Sequence, residues 1–378
     1  MRPSSRWDIF CAVVDNYGDA GIAWRLAHCL STEHGVPVRL HVDALATLAR
    51  LVPGVDPARE RQRHRGVEIR AWRGPDVDLP GVRPGAVVIE AFGCGLPPSY
   101  LSAMAARGPA PVWINLEYLS AERWIEDCQG LASRHPRLPL TRYFFFPGFT
   151  PASGGLLRER DLLGRRDRFR ASARARAGLW RSLGVTPSQG ALVVSLFCYP
   201  DAPVANLFEA WAAGDAPVFC LVLEGVAQTQ IDDWTRGAAP LTRGNLTLAR
   251  APFVAQDDYD LILWSCDLNF VRGEDSFVRA QWAARPFVWH VYPQSEDAHR
   301  LKLAAFLERY SAGLAPEAAA AVAELSRAWN GIGDVGPSWK GVLRFRAALE
   351  EHAGAWAAKL ALQEDLASAL VRFCRDRL

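Results

Sequence analysis

Short apolar, β-branched runs recur along this chain at intervals that leave room for a helix between them. No other feature of the sequence constrains the fold as tightly. WDIFCAVV (residues 7–14), VPVRLHV (36–42), VEIRAW (67–72), AVVIEAF (86–92) and PVWINLEYL (111–119) form a first series. ALVVSLFCYP (191–200), PVFCLVLEG (217–225), NLTLARAPF (245–253), DLNFV (267–271) and PFVWHVYP (286–293) form a second. Runs of this length, apolar rather than alternating, read as strands buried on both faces. The first is followed by the turn DNYGD and then by AGIAWRLAHCLSTEHG, where Ile22, Leu26, Cys29 and Leu30 recur at helical spacing until Gly35 ends the pattern. Strands alternating with helices predict a parallel sheet covered on both faces, and two series predict two α/β domains. The length agrees, since 378 residues at about 150 per domain make two.

Between the series the pattern breaks. From 151 to 190 the chain reads PASGGLLRERDLLGRRDRFRASARARAGLWRSLGVTPSQG, in which Gly, Pro and Ser bracket an Arg-rich helical stretch. This predicts a linker over 156–184 between a domain spanning 1–155 and another spanning 185–362. The arginines fit a solvated face or a docking surface for an acidic partner. From about residue 295 onward, runs such as PEAAAAVAELSRAWN predict mostly helix. No apolar run approaches the roughly 20 residues that cross a bilayer, and MRPSSRWDIF enters a strand with no apolar segment of secretory length, so no membrane or targeting role is expected. The eight cysteines stand singly with no C-x-x-C pair, which predicts reduced core thiols in a cytoplasmic protein and no structural metal. A net charge of +2 argues against a global grip on nucleic acid. Neither series opens with G-x-G-x-x-G, so a dinucleotide-binding dehydrogenase fits poorly, and GCGLPP after Phe92 reads as a turn.

Open parallel sheets bind ligands beyond the carboxyl ends of their strands, and the candidate residues cluster there. In DNYGD, Asp15 and Asp19 flank the tight turn Asn16-Tyr17-Gly18. Paired carboxylates there suit acid-base work or a two-pronged grip on a guanidinium, and equally suit a helix cap and a turn closure. In the second series, Arg272 and Gly273 interrupt the pattern after DLNFV, and Glu274, Asp275 and Ser276 stand where a helix cap belongs. A helix opening there offers free amides to a phosphate, with Arg272 and Arg279 as further donors, or is simply an ordinary capped helix. Phe197 and Tyr199 close one strand, and Phe253, Gln256 and Tyr259 follow another. Aromatic faces with one amide suit a nucleobase, although such aromatics also serve as core.

The blocks IFCAVVDNYGDAGIAWRLA, INLEYLSAERWIE, FFFPGFTPASGGLLRE, SLFCY, FVAQDDYD and RGEDSFVRAQWAARPFVWHVYPQ closely resemble the bacterial protein-arginine rhamnosyltransferases (EarP), which modify translation elongation factor P. The resemblance spans nearly the whole chain in the same order. It implies a GT-B glycosyltransferase fold, α/β, with two facing Rossmann-like domains, an interdomain cleft and a terminal helix over about 363–378 that packs back on the first domain. It implies transfer of L-rhamnose from dTDP-β-L-rhamnose to one arginine of elongation factor P, with inversion and without a cofactor. By the family pattern the acceptor docks on the N-terminal domain and the donor lies mainly in the C-terminal one. Asp15, Asp19 and Glu274 match the family's essential acids. Phe197, Tyr199, Phe253, Gln256 and Tyr259 match the thymidine side of the donor pocket, and Arg272, Gly273, Asp275, Ser276 and Tyr292 the diphosphate and sugar side. The turn residues Asn16, Tyr17 and Gly18 are counted with the donor-binding set. Tyr259 stands where some members have Phe, a change that preserves stacking.

Chemistry supports that assignment. An arginine side chain, with a pKa above about 12, is a cation and a poor nucleophile, so the enzyme must draw off a proton as the C–N bond forms. Asp15 and Asp19 are expected to hold the guanidinium and one of the two to take the proton, Asp19 being favoured as base and Asp15 as orienting partner, with Glu274 positioning sugar or guanidinium. The helix start near Ser276, with Arg272, is expected to stabilise the leaving dTDP. Two rivals keep the donor pocket: a GT-B transferase acting on a glycan or small molecule, and a non-catalytic nucleotide-sugar-binding adaptor.

Overall fold

The computed structural model describes residues 6–225, 227–237, 240–293 and 298–378, so the expected start of the helical tail near 295 and the end of the last resemblance block at 294 lie outside the described residues. The chain divides into two compact units: Met1–Arg160 with Leu362–Leu378, and Asp161–Ala361.

The first unit runs β1 (Trp7–Cys11), α1 (Tyr17–Glu33), β2 (Val38–Val42), α2 (Leu45–Leu51), β3 (Arg61–His64), β4 (Val67–Ala71), β5 (Val87–Ala91), α3 (Pro98–Ala105), β6 (Val112–Leu116), α4 (Trp124–Cys128), β7 (Ala132–Arg134) and β8 (Thr141–Phe145). The second runs α5 (Leu162–Ala171), α6 (Ala173–Ser182), β9 (Leu192–Leu196), α7 (Val204–Ala212), β10 (Val218–Val222), α8 (Gln228–Thr235), β11 (Leu241–Arg243), β12 (Leu246–Arg250), α9 (Gln256–Ser265), β13 (Leu268–Arg272), α10 (Asp275–Ala283), β14 (Phe287–His290), α11 (Ala298–Tyr310), α12 (Pro316–Trp329), α13 (Val335–Arg344) and α14 (Arg346–Ala361). The chain then returns to the first unit with α15 (Leu366–Arg375).

In the first unit the sheet order is β3-β4-β2-β1-β5-β6-β8-β7, parallel throughout except for β3 and β7, which run antiparallel to their neighbours at the two edges. Numbered among themselves, the six parallel strands lie in the doubly wound order 3-2-1-4-5-6, with the reversal between β1 and β5. The second sheet, β11-β12-β10-β9-β13-β14, has five parallel strands in the order 3-2-1-4-5, and its reversal falls between β9 and β13. Strands β1, β2, β5 and β6, and β10, β13 and β14, are buried along their whole length, as apolar runs covered on both faces must be.

Three local features anchor these frames. In α15, Leu366, Ala367, Leu370, Val371 and Cys374 make one buried stripe, Asp365 caps the helix through the Ser368 amide at 3.0 Å, and Phe373 packs edge-on against Phe145 of β8 at 5.5 Å. The terminal helix therefore completes the first unit's own core. The segment read from sequence as a linker over 156–184 holds α5 and α6, and both belong to the second unit. Two of its arginines serve α10: Arg166 donates to the Trp282 carbonyl at 2.9 Å and Arg170 to that of Ala284 at 3.5 Å, placing cations at a helix C-terminus. Finally, Arg279 of α10 and Asp260 of α9, both essentially unexposed, form a two-pronged ion pair with Nε–Oδ1 at 2.7 Å. Arg279, read from sequence as a donor to a ligand phosphate, is thus committed to holding two helices together.

Candidate active site

At the switch point of the first unit, the chain leaves β1 and turns into α1. The turn is closed by the Gly18 amide donating to the Asp15 carbonyl at 2.7 Å. Asn16 takes a positive φ (37°) with ψ −101°, outside the regions L residues ordinarily occupy. Gly18 matters for a different reason: a Cβ there would lie 2.7 Å from Asp15 Oδ2, so any side chain would have to displace the Asp15 carboxylate from its place beside the turn. The helix starts at Tyr17, three residues earlier than the run read from sequence, so Asp19 is not its N-cap. The Asp19 carboxylate turns back instead, and its Oδ2 accepts the amides of Val14 and Asp15, each at 2.8 Å.

Asp19 is 1% exposed. Burial pushes its pKa up and the neighbouring Asp43 pushes the same way, while hydrogen bonds from the Asp15 and Val14 amides and the Tyr118 hydroxyl pull it down. The result is a dehydrated, tightly held carboxylate beyond the carboxyl end of a central strand. Asp15 beside it is half-buried. Asp43, just past β2, accepts the Val13 amide at 2.9 Å and so braces the strand exit from the other side. Tyr17 accepts a hydrogen bond from Arg50 at 2.7 Å.

At the switch point of the second unit, Phe197 and Tyr199 follow β9 and Arg272 ends β13. The Arg272 guanidinium carbon lies 4.3 Å from the centre of the Phe197 ring and 4.6 Å from that of Tyr199, so the cation is held between two aromatic faces and is 3% exposed. Tyr259 tilts against Phe197 at 6.1 Å, and Tyr292, 41% exposed, stands edge-on to Tyr199 at 5.4 Å. Phe253 lies on the half-buried connection between β12 and α9.

Gly273 adopts φ 60°, a left-handed turn that a side chain would strain, and its carbonyl accepts the Trp289 indole N–H at 2.9 Å. Glu274 is the N-cap of α10 by position, yet no side chain caps the helix. Ser276 Oγ, expected to cap, accepts the Arg272 amide at 3.0 Å and donates to the Arg272 carbonyl. Asp275 Oδ2 accepts the Gln256 side-chain amide at 2.9 Å, which ties α9 to the opening of α10. The Tyr259 phenol is buried among these groups, and burial pushes its pKa up.

Each unit thus gathers its own predicted residues: the Asp15–Asp19 turn in the first, and the Phe197, Tyr199, Gln256, Tyr259, Arg272 to Ser276 and Tyr292 group in the second. The structure adds residues that the sequence did not single out. Asp43 and Tyr118 flank Asp19. His290, ending β14, accepts the Tyr199 amide at Nδ1 (3.2 Å) and places Nε2 3.6 Å from Asp201, which fixes the turn bearing Tyr199. Gly225 lies so close to the Phe197 ring that a Cβ there would stand 2.7 Å from Cε2. A His at a strand end and a Gly three residues past one are the signals that could have found the last two. Among the described residues no group of His, Cys, Asp and Glu is placed to hold a metal ion.

Two doubly wound units, one carrying a buried carboxylate at its switch point and the other a cation bracketed by aromatic rings, define a GT-B glycosyltransferase. The solved spinosyn rhamnosyltransferase SpnG shares the fold, with a TM-score of 0.53 over 98% of this chain and 100% of its own at 13% identity. Within that class the chain belongs to the family described as elongation factor P (EF-P) rhamnosyltransferase EarP, whose model matches residues 7–375. It is 50% identical to a protein-arginine rhamnosyltransferase of Pseudomonas putida and 47% identical to one of Pseudomonas aeruginosa, in each case over 98% of this chain and 99% of the relative. A structure described as the basis for EarP-mediated arginine glycosylation of EF-P matches at 38% identity, with a TM-score of 0.70 over 99% of this chain and 100% of that one.

Proposed function

We propose that this protein transfers L-rhamnose from dTDP-β-L-rhamnose to an arginine side chain of translation elongation factor P, with inversion at the anomeric carbon. The family and the names of its relatives support the reaction class, and the observation that carries the chemistry is Asp19: a carboxylate 1% exposed, held by two amides and a phenol. A cationic nucleophile needs such a group. As the anomeric carbon bonds to a guanidinium nitrogen, the bond from that carbon to the diphosphate oxygen breaks and dTDP leaves with the electron pair. The nitrogen's proton passes to Asp19. Asp15 orients the guanidinium, and Glu274 acts on the sugar or the incoming nitrogen.

In the second unit, Phe197, Phe253 and Tyr259 offer faces to the thymine, while Gln256 offers its edge and Tyr199 and Tyr292 close the pocket. Arg272 and the amides opening α10 meet the charge that develops on the diphosphate, a task for which this reading calls for no metal ion. The carboxylates of Asp275 and Glu274 then belong to sugar hydroxyls and acceptor rather than to phosphate. Acceptor docking is assigned to the first unit and the reaction to the cytoplasm, where elongation factors work.

The test is intact-mass analysis of purified elongation factor P incubated with this protein and dTDP-β-L-rhamnose. One deoxyhexose on one arginine is expected, and Asp19→Asn should cut turnover by about 10²–10⁴ while leaving donor binding intact. Transfer to a glycan or small molecule instead, or donor binding with no transfer to any acceptor, would overturn the proposal.

A further inference from the structure

Asp19 receives a third hydrogen bond that neither the turn nor the helix supplies, and its source is built with some care. Tyr118 lies two residues beyond β6, and its hydroxyl donates to the Asp19 carboxylate. Its ring is stacked face to face on Phe92, with centroids 4.4 Å apart and planes 13° from parallel. Phe92 itself follows β5 in a left-handed backbone (φ 59°), a conformation that bulky L side chains rarely adopt. Its amide still donates to the Leu116 carbonyl at 2.7 Å, so the β5–β6 ladder continues into the unusual residue and fixes where its ring lies. Three adjacent strands, β1, β5 and β6, therefore deliver Asp19, Phe92 and Tyr118 from their carboxyl ends. Unusual backbone next to a reactive group is grounds for a hypothesis of function, and here the strained residue supports a phenol aimed at a carboxylate.

We infer that Tyr118, braced by Phe92, is a positioning residue for the sugar-transfer step, holding the Asp19 carboxylate ionised and in one orientation toward the acceptor guanidinium. The inference rests on the reading of Asp19 as the base. The two amide bonds both fall on Oδ2 and fix one oxygen only, whereas the phenol is a donor whose place is set by a different strand. The charged and titratable groups around Asp19 are Asp43, Asp15, the Cys11 thiol and Tyr118. Burial and Asp43 favour the protonated acid, and Tyr118 opposes them, because a hydrogen bond to the charged form stabilises it.

Tyr118→Phe removes the hydroxyl and keeps the stack. The expected result is a kcat about ten- to a hundredfold lower, an unchanged KM for the nucleotide sugar, and an acid limb of the kcat/KM profile displaced to higher pH by about one unit. Phe92→Gly suits the left-handed backbone and removes the brace; it should lower kcat in the same direction and retain the melting temperature to within a few degrees. A merely structural Tyr118 would lower the melting temperature without moving the pH profile, and that outcome, or wild-type kcat in either variant, overturns the inference. Asp19→Asn separates the two levels of the argument. Should that variant still transfer sugar, the base assignment falls; should it be inactive while Tyr118→Phe matches the wild type, only the role of Tyr118 falls.

Discussion

Replacing Arg272 by Met tests what the cation between the two rings is for. The guanidinium lies 4.3 and 4.6 Å from the Phe197 and Tyr199 ring centres, and the residue is 3% exposed, so a straight-chain apolar replacement fills nearly the same slot. For folding, the change loses two desolvated cation–π contacts worth up to about 2 kcal/mol each and regains sulfur–aromatic contact of about 0.3–1.5 kcal/mol. The second unit should remain folded, with its melting temperature lowered by a few degrees. For binding, the lost group is a charge-assisted donor to the diphosphate, worth about 1.5–3 kcal/mol, which corresponds to a roughly 10- to 150-fold rise in the Kd of dTDP. Thymidine carries no phosphate and depends on the rings alone, so its Kd should change by less than about threefold if the slot stays filled. Titration calorimetry with both ligands on wild type and variant reads the difference directly. Equal weakening of dTDP and thymidine would refute the reasoning, because it would mean that Arg272 only spaces the two rings.

The raised pKa of Asp19 fixes the sign of a stability effect. A carboxyl whose folded pKa lies above its unfolded one costs stability at pH values above the folded pKa, and that cost fades as pH falls toward about 4. Asp19→Asn should therefore melt no lower than wild type at pH 7 to 8, with the gap between them closing in acid; a marked loss of melting temperature at neutral pH would contradict this. Arg279→Met leaves the Asp260 carboxylate buried without its two-pronged partner and should cost about 3–5 kcal/mol in urea unfolding, while the double variant with Asp260→Leu recovers most of it. A single variant within 1 kcal/mol of wild type would show that the pair adds little. Gly225→Ala places a Cβ 2.7 Å from Phe197 Cε2 and should displace that ring, weakening thymidine binding about five- to tenfold with little change in circular dichroism. Unaltered thymidine affinity would remove Phe197 from the base pocket.

Which of these features could be read from the sequence follows from what holds each in place. A strand covered on both faces must be apolar along its length, so the runs that became β1, β2, β5, β6, β9, β10, β13 and β14 announced themselves. Strands β3, β7 and β11 lie at sheet edges or pair with them and have the polar sequences RQRH, ASR and LTR, which carry no such mark. Strand β8, TRYFF, went unread because Arg142 interrupts its apolar run; in the fold that arginine lies 5.3 Å from the Trp113 ring and pairs with Glu90 at 3.5 Å.

The candidate site divides the same way. Asp15, Asp19, Arg272 and Gly273 stand where periodicity stops, and in a parallel sheet every such stop after a strand lies at the same end. Chemistry placed there is visible as punctuation. The identity of each group's neighbour is another matter. Asp19 meets Tyr118 about a hundred residues away, Tyr199 meets His290 across two strands, and Arg279 meets Asp260 from the adjacent helix. These pairings arise from strand order, which a list of strands does not contain. From sequence, Arg279 is open to a ligand phosphate or to an ordinary capped helix while its partner lies in the fold, and Tyr118 is hidden within an apolar run. The order 3-2-1-4-5-6 sets the ends of β1, β5 and β6 side by side, and only with that order in hand does a tyrosine after the fifth parallel strand become a neighbour of an aspartate after the first.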